Sequence, residues 1–224
     1  MPQLGHRAIV APRVLDAPDP LPDDVLSAYR ASNSCAVSDQ VGRLWTMDPA
    51  IGPLHPSMPP LAGVAITVKA PPGDNWAVYG GLARAFPGSV LVVDWRGYTA
   101  GCGGGEKALL PAVANGLSGL VIDGAWRDID DVAARSFPLF GRGRSPFSPA
   151  KRDAGEVCVP VACGGVVVEP GDVVVGDADG VAVVPRRHAL EVAEVLAASR
   201  ETADAHDEDM VARIGAAFDQ EHGN

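Results

Sequence analysis

The sequence has few aromatic residues, a deficit of positive charge and no long apolar run. Aromatic residues make up 5% of the chain, and 18 Lys and Arg against 28 Asp and Glu give a formal net charge of −10. This balance argues against nucleic-acid binding, because that affinity comes largely from cations that neutralise phosphates. No apolar run approaches the roughly 20 residues that span a bilayer, and the first residues lack the pattern of a signal peptide. We therefore expect a soluble, cytoplasmic protein with no nucleic-acid or membrane partner.

Common motifs for metals, nucleotides and nucleophiles are also missing. There is no Cys-x-x-Cys pair and no His-Glu-x-x-His motif, so a structural zinc site is disfavoured and buried free thiols are the simpler interpretation. The segment AGCGGGEK lacks the spacing of a phosphate-binding loop, and no Gly-x-Ser-x-Gly nucleophile motif is present. The cysteines are Cys35, Cys102, Cys158 and Cys163.

The order of apolar and polar segments predicts one α/β domain over residues 1–224. A Pro-rich arm (1–20) comes first, followed by two short helices. Three apolar runs then alternate with helical segments, which is typical of βαβ units around a parallel sheet. The predicted strands are 61–68, 89–94 and 119–123.

After Pro138 the pattern changes to short Val-rich runs with turns at EPGD and DADG, which predicts a second β layer. A C-terminal helix is expected over about 186–218. Its predicted apolar stripe comprises Leu190, Ala193, Val195 and Leu196. Its acidic end is expected to be solvated or to contact a neighbouring subunit.

Three loops are predicted at the carboxyl ends of the strands, where α/β proteins usually bind ligands: 69–75, 94–106 and 123–128. Gly103–Glu106 precedes a helix, so its backbone N–H groups are expected to bind an anion such as a carboxylate. Arg127 and Asp128 follow a buried strand. They could form only a surface ion pair, but Asp is also a ligand for Mg²⁺ and Arg binds carboxylates through two parallel donors.

At these residues the chain resembles the RraA-like family, and within it the class II pyruvate aldolases that act on 4-hydroxy-4-methyl-2-oxoglutarate or 4-carboxy-4-hydroxy-2-oxoadipate. The resemblance extends over about residues 25–200. It includes GVAITVKAPPGDN, GGGEKAL, GLVIDGAWRDIDDV and the Val-rich segment, with the family signature at Gly105-Glu106, Arg127-Asp128 and Asp131. It implies an α/β/β/α sandwich similar to the phosphohistidine (swivelling) domain. It also implies a homotrimer or homohexamer with active sites between subunits.

The same resemblance assigns roles to individual residues. Asp128 would ligate Mg²⁺ or Mn²⁺, and Arg127 would bind the pyruvyl end of a 2-oxo acid substrate as a catalytic residue. Glu106, also catalytic, would hold a water bound to the metal. The pocket for the keto acid would be lined by Gly105, Glu106, Lys107 and Ala108.

A neighbouring subunit would contribute one acid from its C-terminal helix, with Glu201, Asp204 and Glu208 as the candidates. Two departures from the family pattern alter the expected pocket wall. The segment WRGYTAGCGG is longer than its usual counterpart, and Cys102-Gly103-Gly104 occupies positions where bulkier residues are common.

Two functions of different classes are compatible with this resemblance. The first is a metal-dependent lyase that cleaves a 4-hydroxy-2-oxo acid to pyruvate and decarboxylates oxaloacetate as a side activity. The second is a non-catalytic regulator of ribonuclease activity of the RraA type, which acts by protein–protein binding. Asp128 favours the enzyme, because the resemblance implies that the regulatory branch lacks an acid after the arginine.

Overall fold

The computed structural model describes residues 10–56, 58–152, 155–203 and 217–220. The helices are α1 (Asp23–Arg30), α2 (Ser34–Val41), α3 (Trp76–Leu82), α4 (Glu106–Ala114), α5 (Ile129–Ala134) and α6 (Ala189–Ala203). The strands are β1 (Gly52–Pro53), β2 (Leu61–Lys69), β3 (Ser89–Cys102), β4 (Gly119–Trp126), β5 (Leu139–Arg144), β6 (Glu156–Val157), β7 (Val161–Cys163), β8 (Val166–Val168), β9 (Val173–Asp177) and β10 (Gly180–Val184). No helix within these ranges is long and apolar enough to cross a membrane.

The three predicted apolar strands form the centre of one mixed sheet. The sheet has the order β1-β5-β4-β3-β2-β9-β10, and β6 pairs with β2 outside that path. Strands β2, β3, β4 and β5 are parallel, as the alternation of apolar runs and helices predicts. Strand β9 is antiparallel to β2, so the sheet continues without a crossover helix into the Val-rich segment.

The sheet folds over itself and separates three apolar layers. On one side, β2–β5 pack against α3, α4 and α5. The opposite face of β2–β5 meets β7, β8 and one face of β9 and β10. The other face of β9 and β10 is covered by α1, α2 and α6. Alternation along β9 places Val174 in the central layer and Val173 and Val175 in the outer one. The predicted α/β/β/α sandwich is therefore confirmed.

The apolar stripe predicted for the C-terminal helix was partly wrong. Leu190 and Val195 are 59% and 41% exposed, whereas Val192 is buried beside the predicted Ala193 and Leu196. Residues 186–188 form a 3₁₀ turn, and α6 begins only at Ala189. The buried positions follow the helical spacing of three and four residues from Ala189 onwards, and Leu190 and Val195 fall outside that face.

The segment 94–106, predicted as a loop, is largely strand. Strand β3 continues to Cys102, but its pairing with β4 shifts twice. Val93 pairs with Ile122 and Cys102 pairs with Ala125, so nine residue steps on β3 oppose three on β4. The excess residues bulge from the sheet, and this bulge accommodates the unusually long WRGYTAGC segment.

The cysteines and the N-terminal arm differ in part from what the sequence predicts. Cys102, Cys158 and Cys163 are buried, but Cys35 is exposed, so the interpretation that all four thiols are buried was wrong. The described part of the N-terminal arm is attached to β6, because Leu15 N–H donates to the carbonyl of Val157 at 3.0 Å.

Candidate functional site

Arg127 and Asp128 lie directly after β4, as the sequence indicates. Trp126, the last residue of β4, is 1% exposed and anchors this corner in the core. Asp128 has φ 56 and ψ 44, a left-handed conformation that is unfavourable for a residue other than glycine. Such conformations persist where the surroundings impose them, and they are concentrated at functional sites.

The carboxylate of Asp128 is tied to the start of α4. Its Oδ2 accepts the backbone N–H of Glu106 at 2.8 Å, an arrangement that the positive end of the helix dipole favours. The same oxygen lies 3.6 Å from Nε of Arg127. No hydrogen bond to Oδ1 is found in the described part of the chain, so this oxygen can ligate an ion.

Arg127 keeps much of its guanidinium available. Its side chain is 34% exposed, and Nη1 makes one long contact of 3.5 Å to the carbonyl of Pro146. Its Nε is buried and donates no hydrogen bond within the described residues. Because Nε lies beside Asp128 and is closed to solvent, an anionic ligand in the pocket would contact the guanidinium through its Nη nitrogens.

Both side chains line an open pocket of about 320 Å³, a size within the range of ligand sites. The sequence analysis missed several residues of its wall, because they come from the end of β5 and the segment that follows. The lining residues are Trp126, Arg127, Asp128, Ile129, Arg144, Ser145 and Pro146.

Three glycines bring the chain against this corner. A Cβ atom would lie 2.2 Å from Cδ1 of Ile122 at Gly103, 2.3 Å from the Trp126 ring at Gly104 and 2.2 Å from Oδ2 of Asp128 at Gly105. Real Cβ atoms do not approach so closely, so the glycines are required for contact between this segment and β4.

Asn75 holds the same segment from the other side. It is 2% exposed, and its Nδ2 donates to the carbonyl of Gly103 at 3.0 Å, while its Oδ1 is buried without a partner within the described residues. Asn75 lies in the predicted loop 69–75, but no role was predicted for it. Its position directly before α3 was the available signal.

The predicted amide cradle is smaller than expected. Glu106 N–H is taken by Asp128, and Ala108 N–H donates to the carbonyl of Gly105 at 2.9 Å. The side chain of Ala108 is buried in the core. That Ala108 lines the keto-acid pocket stays a prediction. The N–H groups of Gly105 and Lys107 form no hydrogen bond within the described residues, but neither residue lines the pocket of Arg127 and Asp128, so their binding of a carboxylate stays a prediction.

Glu106 is not among the residues that line the pocket of Arg127 and Asp128. Its carboxylate lies 3.5 Å from Nη2 of Arg135, and Asp131 lies 3.8 Å from Nη1 of the same arginine. All three side chains are about a third to a half exposed, so these ion pairs contribute little stability. The catalytic role of Glu106 remains a prediction.

The protein supplies few donor groups for a metal ion near Asp128. Within the described ranges, no three His, Cys, Asp or Glu side chains lie close enough to enclose a metal ion. Of the described residues that line the pocket, Asp128 is the one with a carboxylate oxygen. This set fits Mg²⁺, which commonly binds one or two carboxylates and retains waters or substrate oxygens. It does not fit a closed structural zinc site.

The predicted contribution of a neighbouring subunit stays a prediction. Asp204 and Glu208 lie outside the described residues, and Glu201 is in the last turn of α6.

A second polar cluster lies on the inner face of the sheet. Arg142 on β5 forms ion pairs with Asp123 and with Asp48, the latter at 3.0 Å. Asp94 lies on β3, next to the strand β4 that carries Asp123, and burial raises the pKa of its carboxyl group. Asp123 also accepts the N–H of Gly164 at 2.9 Å. Because Arg142, Asp123 and Asp48 pair with one another and Asp123 joins the sheet to the β7–β8 hairpin, we interpret this cluster as structural.

A folded α/β sheet thus carries an Arg-Asp pair and a glycine-preceded helix at the edge where its parallel strands end. The sequence profile described as RraA-like (Aldolase/RraA) matches residues 34–183. The chain belongs to the RraA-like family.

Two sequence relatives are named as candidate 4-hydroxy-4-methyl-2-oxoglutarate aldolases. A protein of Halalkalibacterium halodurans is 38% identical over 163 residues, or 73% of this chain and 77% of the relative. A protein of Alcanivorax borkumensis is 35% identical over 124 residues, or 55% of this chain and 77% of the relative. These names support an aldolase, a lyase activity.

The fold also resembles a protein described for another role. Streptomyces coelicolor RraAS2 is described as an unusual member of the RNase ES inhibitor RraA protein family. Its crystal structure superposes with a TM-score of 0.73 at 26% identity, covering 85% of this chain and 97% of that chain.

Proposed function

We propose that the protein is a divalent-metal-dependent lyase that cleaves a 4-hydroxy-2-oxo acid to pyruvate and a second carbonyl compound. The observation that carries this proposal is the placement of Arg127 and Asp128 in one pocket, where Asp128 Oδ1 is open and Arg127 has unused donors. A metal-assisted enzyme that handles a keto acid needs both groups.

Each residue of the site has a proposed role that follows from its chemistry. Arg127 binds the pyruvyl end and stabilises negative charge as it develops on the keto oxygen. The free N–H groups of Gly105 and Lys107 bind the carboxylate. Asp128 would hold Mg²⁺ or Mn²⁺, which when bound supplies Lewis acidity toward the keto acid.

Bond cleavage requires a base for the C4 hydroxyl. In the proposal, a water held by acidic side chains accepts this proton as the C3–C4 bond breaks and its electron pair moves toward the keto oxygen. Protonation at C3 then completes pyruvate. Glu106 is one candidate to hold the water, and Glu201, Asp204 and Glu208 of a neighbouring subunit are the others. Oxaloacetate decarboxylation generates the same enolate, so we expect it as a side activity.

The test is pyruvate release from a panel of 4-hydroxy-2-oxo diacids and from oxaloacetate, with EDTA and after Mg²⁺ is restored. Metal-dependent cleavage above the rate with free Mg²⁺ is the expected result. Rates equal to those without protein would contradict the lyase. They would favour the alternative, a regulator of ribonuclease activity, which the likeness to the Streptomyces coelicolor protein supports.

We also propose that the protein works as a homotrimer or homohexamer with sites between subunits. Among the described residues of one chain, a single carboxylate lines the pocket, so an acid from a second subunit would complete the proton-transfer machinery. Light scattering at micromolar concentration should give three or six times the mass of the chain. A monomer mass would contradict shared sites.

A further inference from the structure

A second pocket opens where the pairing of β2 with β3 ends, and its described lining shares no residue with the pocket of Arg127 and Asp128. Its volume is about 390 Å³, within the range of small-molecule sites. The carboxyl ends of parallel strands are where α/β sheets usually bind ligands. The lining residues are Val10, Ala11, Pro12, Lys69, Ala70, Pro71, Pro72, Arg96, Gly155 and Glu156.

The wall of this second pocket is mostly apolar. Six of its ten described lining residues have apolar side chains, and three of the six are prolines. A proline ring fixes the backbone angle φ, so this wall is ordered before a ligand binds. Contact with such a wall removes apolar ligand surface from water, which is favourable. The wall therefore fits a ligand with an apolar body.

The charged groups at the pocket leave an excess of positive charge. Glu156 lies between two cations, because its Oε1 is 3.0 Å from Nε of Arg13 and its Oε2 is 3.2 Å from Nζ of Lys69. Hydrogen bonds from Arg13 and Lys69 hold the pKa of Glu156 below its ordinary value, so this carboxylate is ionised at neutral pH. One negative charge thus meets two positive charges even before Arg96 is counted.

Arg96 is held in a conformation that is unfavourable for its residue type. Its φ is 56, in the left-handed region that a residue with a Cβ rarely adopts. The backbone N–H of Arg96 donates to Oδ1 of Asp94 at 3.1 Å. The exposed side chain forms no hydrogen bond or ion pair within the described residues, so its donors are available to an anion. The unusually long segment WRGYTAGC thereby places a cation at the pocket.

We propose that this pocket binds a small organic anion with an apolar body, and that Arg96 and Lys69 bind the anionic group. The body of the ligand packs against the apolar wall. Benzoate represents this chemistry, since it joins one carboxylate to one apolar ring. The site is distinct from the pocket of Arg127 and Asp128, so the inference goes beyond the proposed lyase and holds or fails independently of it.

Three probes separate the contributions of charge and apolar surface. Benzoate has both, acetate has the carboxylate alone, and benzyl alcohol has the ring alone. NMR titration of the full chain at constant ionic strength measures each Kd. We expect a Kd on the order of 1 mM for benzoate, because a ligand of this size gains limited affinity in an open pocket, and binding about 10-fold weaker for the other two. Equal affinity for benzoate and either of the other probes would overturn the inference.

Arg96→Gln tests the assigned cation. Loss of a charge-assisted hydrogen bond should weaken benzoate binding about 10-fold, whereas binding of benzyl alcohol should not change. Arg43→Gln is the matched control, because Arg43 is also exposed and has no ion pair within the described residues. This control should bind benzoate as wild type does. Equal weakening in both variants, or none in Arg96→Gln, would contradict the site.

Two further variants exclude a folding defect and binding in the other pocket. Glycine adopts a φ of 56 without strain, so Arg96→Gly should melt close to the wild-type temperature and still lose benzoate binding. Arg127→Gln removes a cation of the other pocket and should leave the Kd for benzoate unchanged. Loss of benzoate binding in Arg127→Gln but not in Arg96→Gly would place the ligand beside Asp128 and overturn the inference.

Discussion

Oδ2 of Asp128 accepts the backbone N–H of Glu106 at 2.8 Å and so joins segments 22 residues apart in the chain. One carboxylate oxygen thereby caps α4, while the other remains open in the pocket. The contact ties the left-handed backbone of Asp128 to the start of a helix. The orientation of the proposed metal ligand consequently depends on how closely Gly105 approaches β4.

Substitution of Gly105 by Ala tests this dependence. The new Cβ would lie 2.2 Å from Oδ2 of Asp128 and 2.9 Å from Cγ of Arg127, so both side chains must shift. We expect kcat to fall by about 100-fold, because small displacements of positioned groups are costly, while the protein remains folded. Steady-state kinetics and thermal melting measure the two effects.

Gly52→Ala is the matched control, because no atom lies within 4 Å of the position of its new Cβ. It should retain wild-type activity. Full activity of Gly105→Ala would show that the position of Asp128 does not matter for the reaction.

Asn75→Ala removes the side chain that binds the carbonyl of Gly103. The carbonyl loses its buried donor, so we expect the free energy of unfolding to fall by about 1–3 kcal/mol. Weaker binding of pyruvate should accompany this loss, because Asn75 holds the segment that leads to Gly105 and Lys107, whose N–H groups are proposed to bind the carboxylate. Urea denaturation and calorimetry measure these changes, and unchanged values in both would refute the positioning role.

The exposed thiol of Cys35 should react more slowly than its exposure to solvent alone would suggest. Oδ2 of Asp179 lies 3.6 Å from its Sγ, and the negative charge of Asp179 raises the pKa of this thiol. A raised pKa lowers the thiolate fraction, and only the thiolate reacts. In the native protein we expect one thiol to react with Ellman's reagent at pH 8, faster in Asp179→Asn. Several fast thiols, or no acceleration, would contradict this account.

Burial raises the pKa of Asp94 above its ordinary value. The folded state therefore favours the neutral carboxyl group. The resulting stability is fully present below the ordinary pKa of about 4 and is lost as pH rises through the raised value. Asp94→Asn should thus raise the free energy of unfolding relative to wild type at pH 7, with a smaller difference at pH 4.

Denaturant titrations at the two pH values measure the effect of Asp94. Asp16→Asn changes an exposed carboxyl group of the arm and should give a small difference at both pH values. An Asp94→Asn variant less stable than wild type at pH 7 would contradict the burial argument.

The sheet and the Arg-Asp corner were predictable because each follows from local pattern. Strands β2 and β4 are continuous apolar runs that end in polar turns, so the positions of Lys69 and Arg127 at strand ends follow from the chain itself. The uninterrupted run Val173–Val175 in β9 likewise indicates a strand with apolar partners on both faces.

The rest of the site depends on pairing between distant segments, which sequence patterns do not encode. The register that places Arg144 beside Trp126 follows an irregularity between β4 and β5. The backbone N–H of Glu106 donates to Asp128 and is therefore not available to a ligand. This contact depends on the left-handed turn at Asp128. The bulge in β3 allows the chain to stay in the sheet up to Cys102, although the glycine-dense sequence there predicts a loop.

The central claim, that Asp128 serves the metal and Arg127 serves the substrate, is tested by titrating Mg²⁺ against Asp128→Asn and Arg127→Lys while pyruvate release is measured. Asp128→Asn removes the charge that holds the ion, so excess Mg²⁺ should partly restore its rate. Arg127→Lys keeps a charge but loses the paired donors, so kcat should fall on the order of 10²–10³ without rescue by metal. Activity of either variant within a few-fold of wild type would contradict the site, and rescue of both by Mg²⁺ would show that the role of Arg127 is wrong.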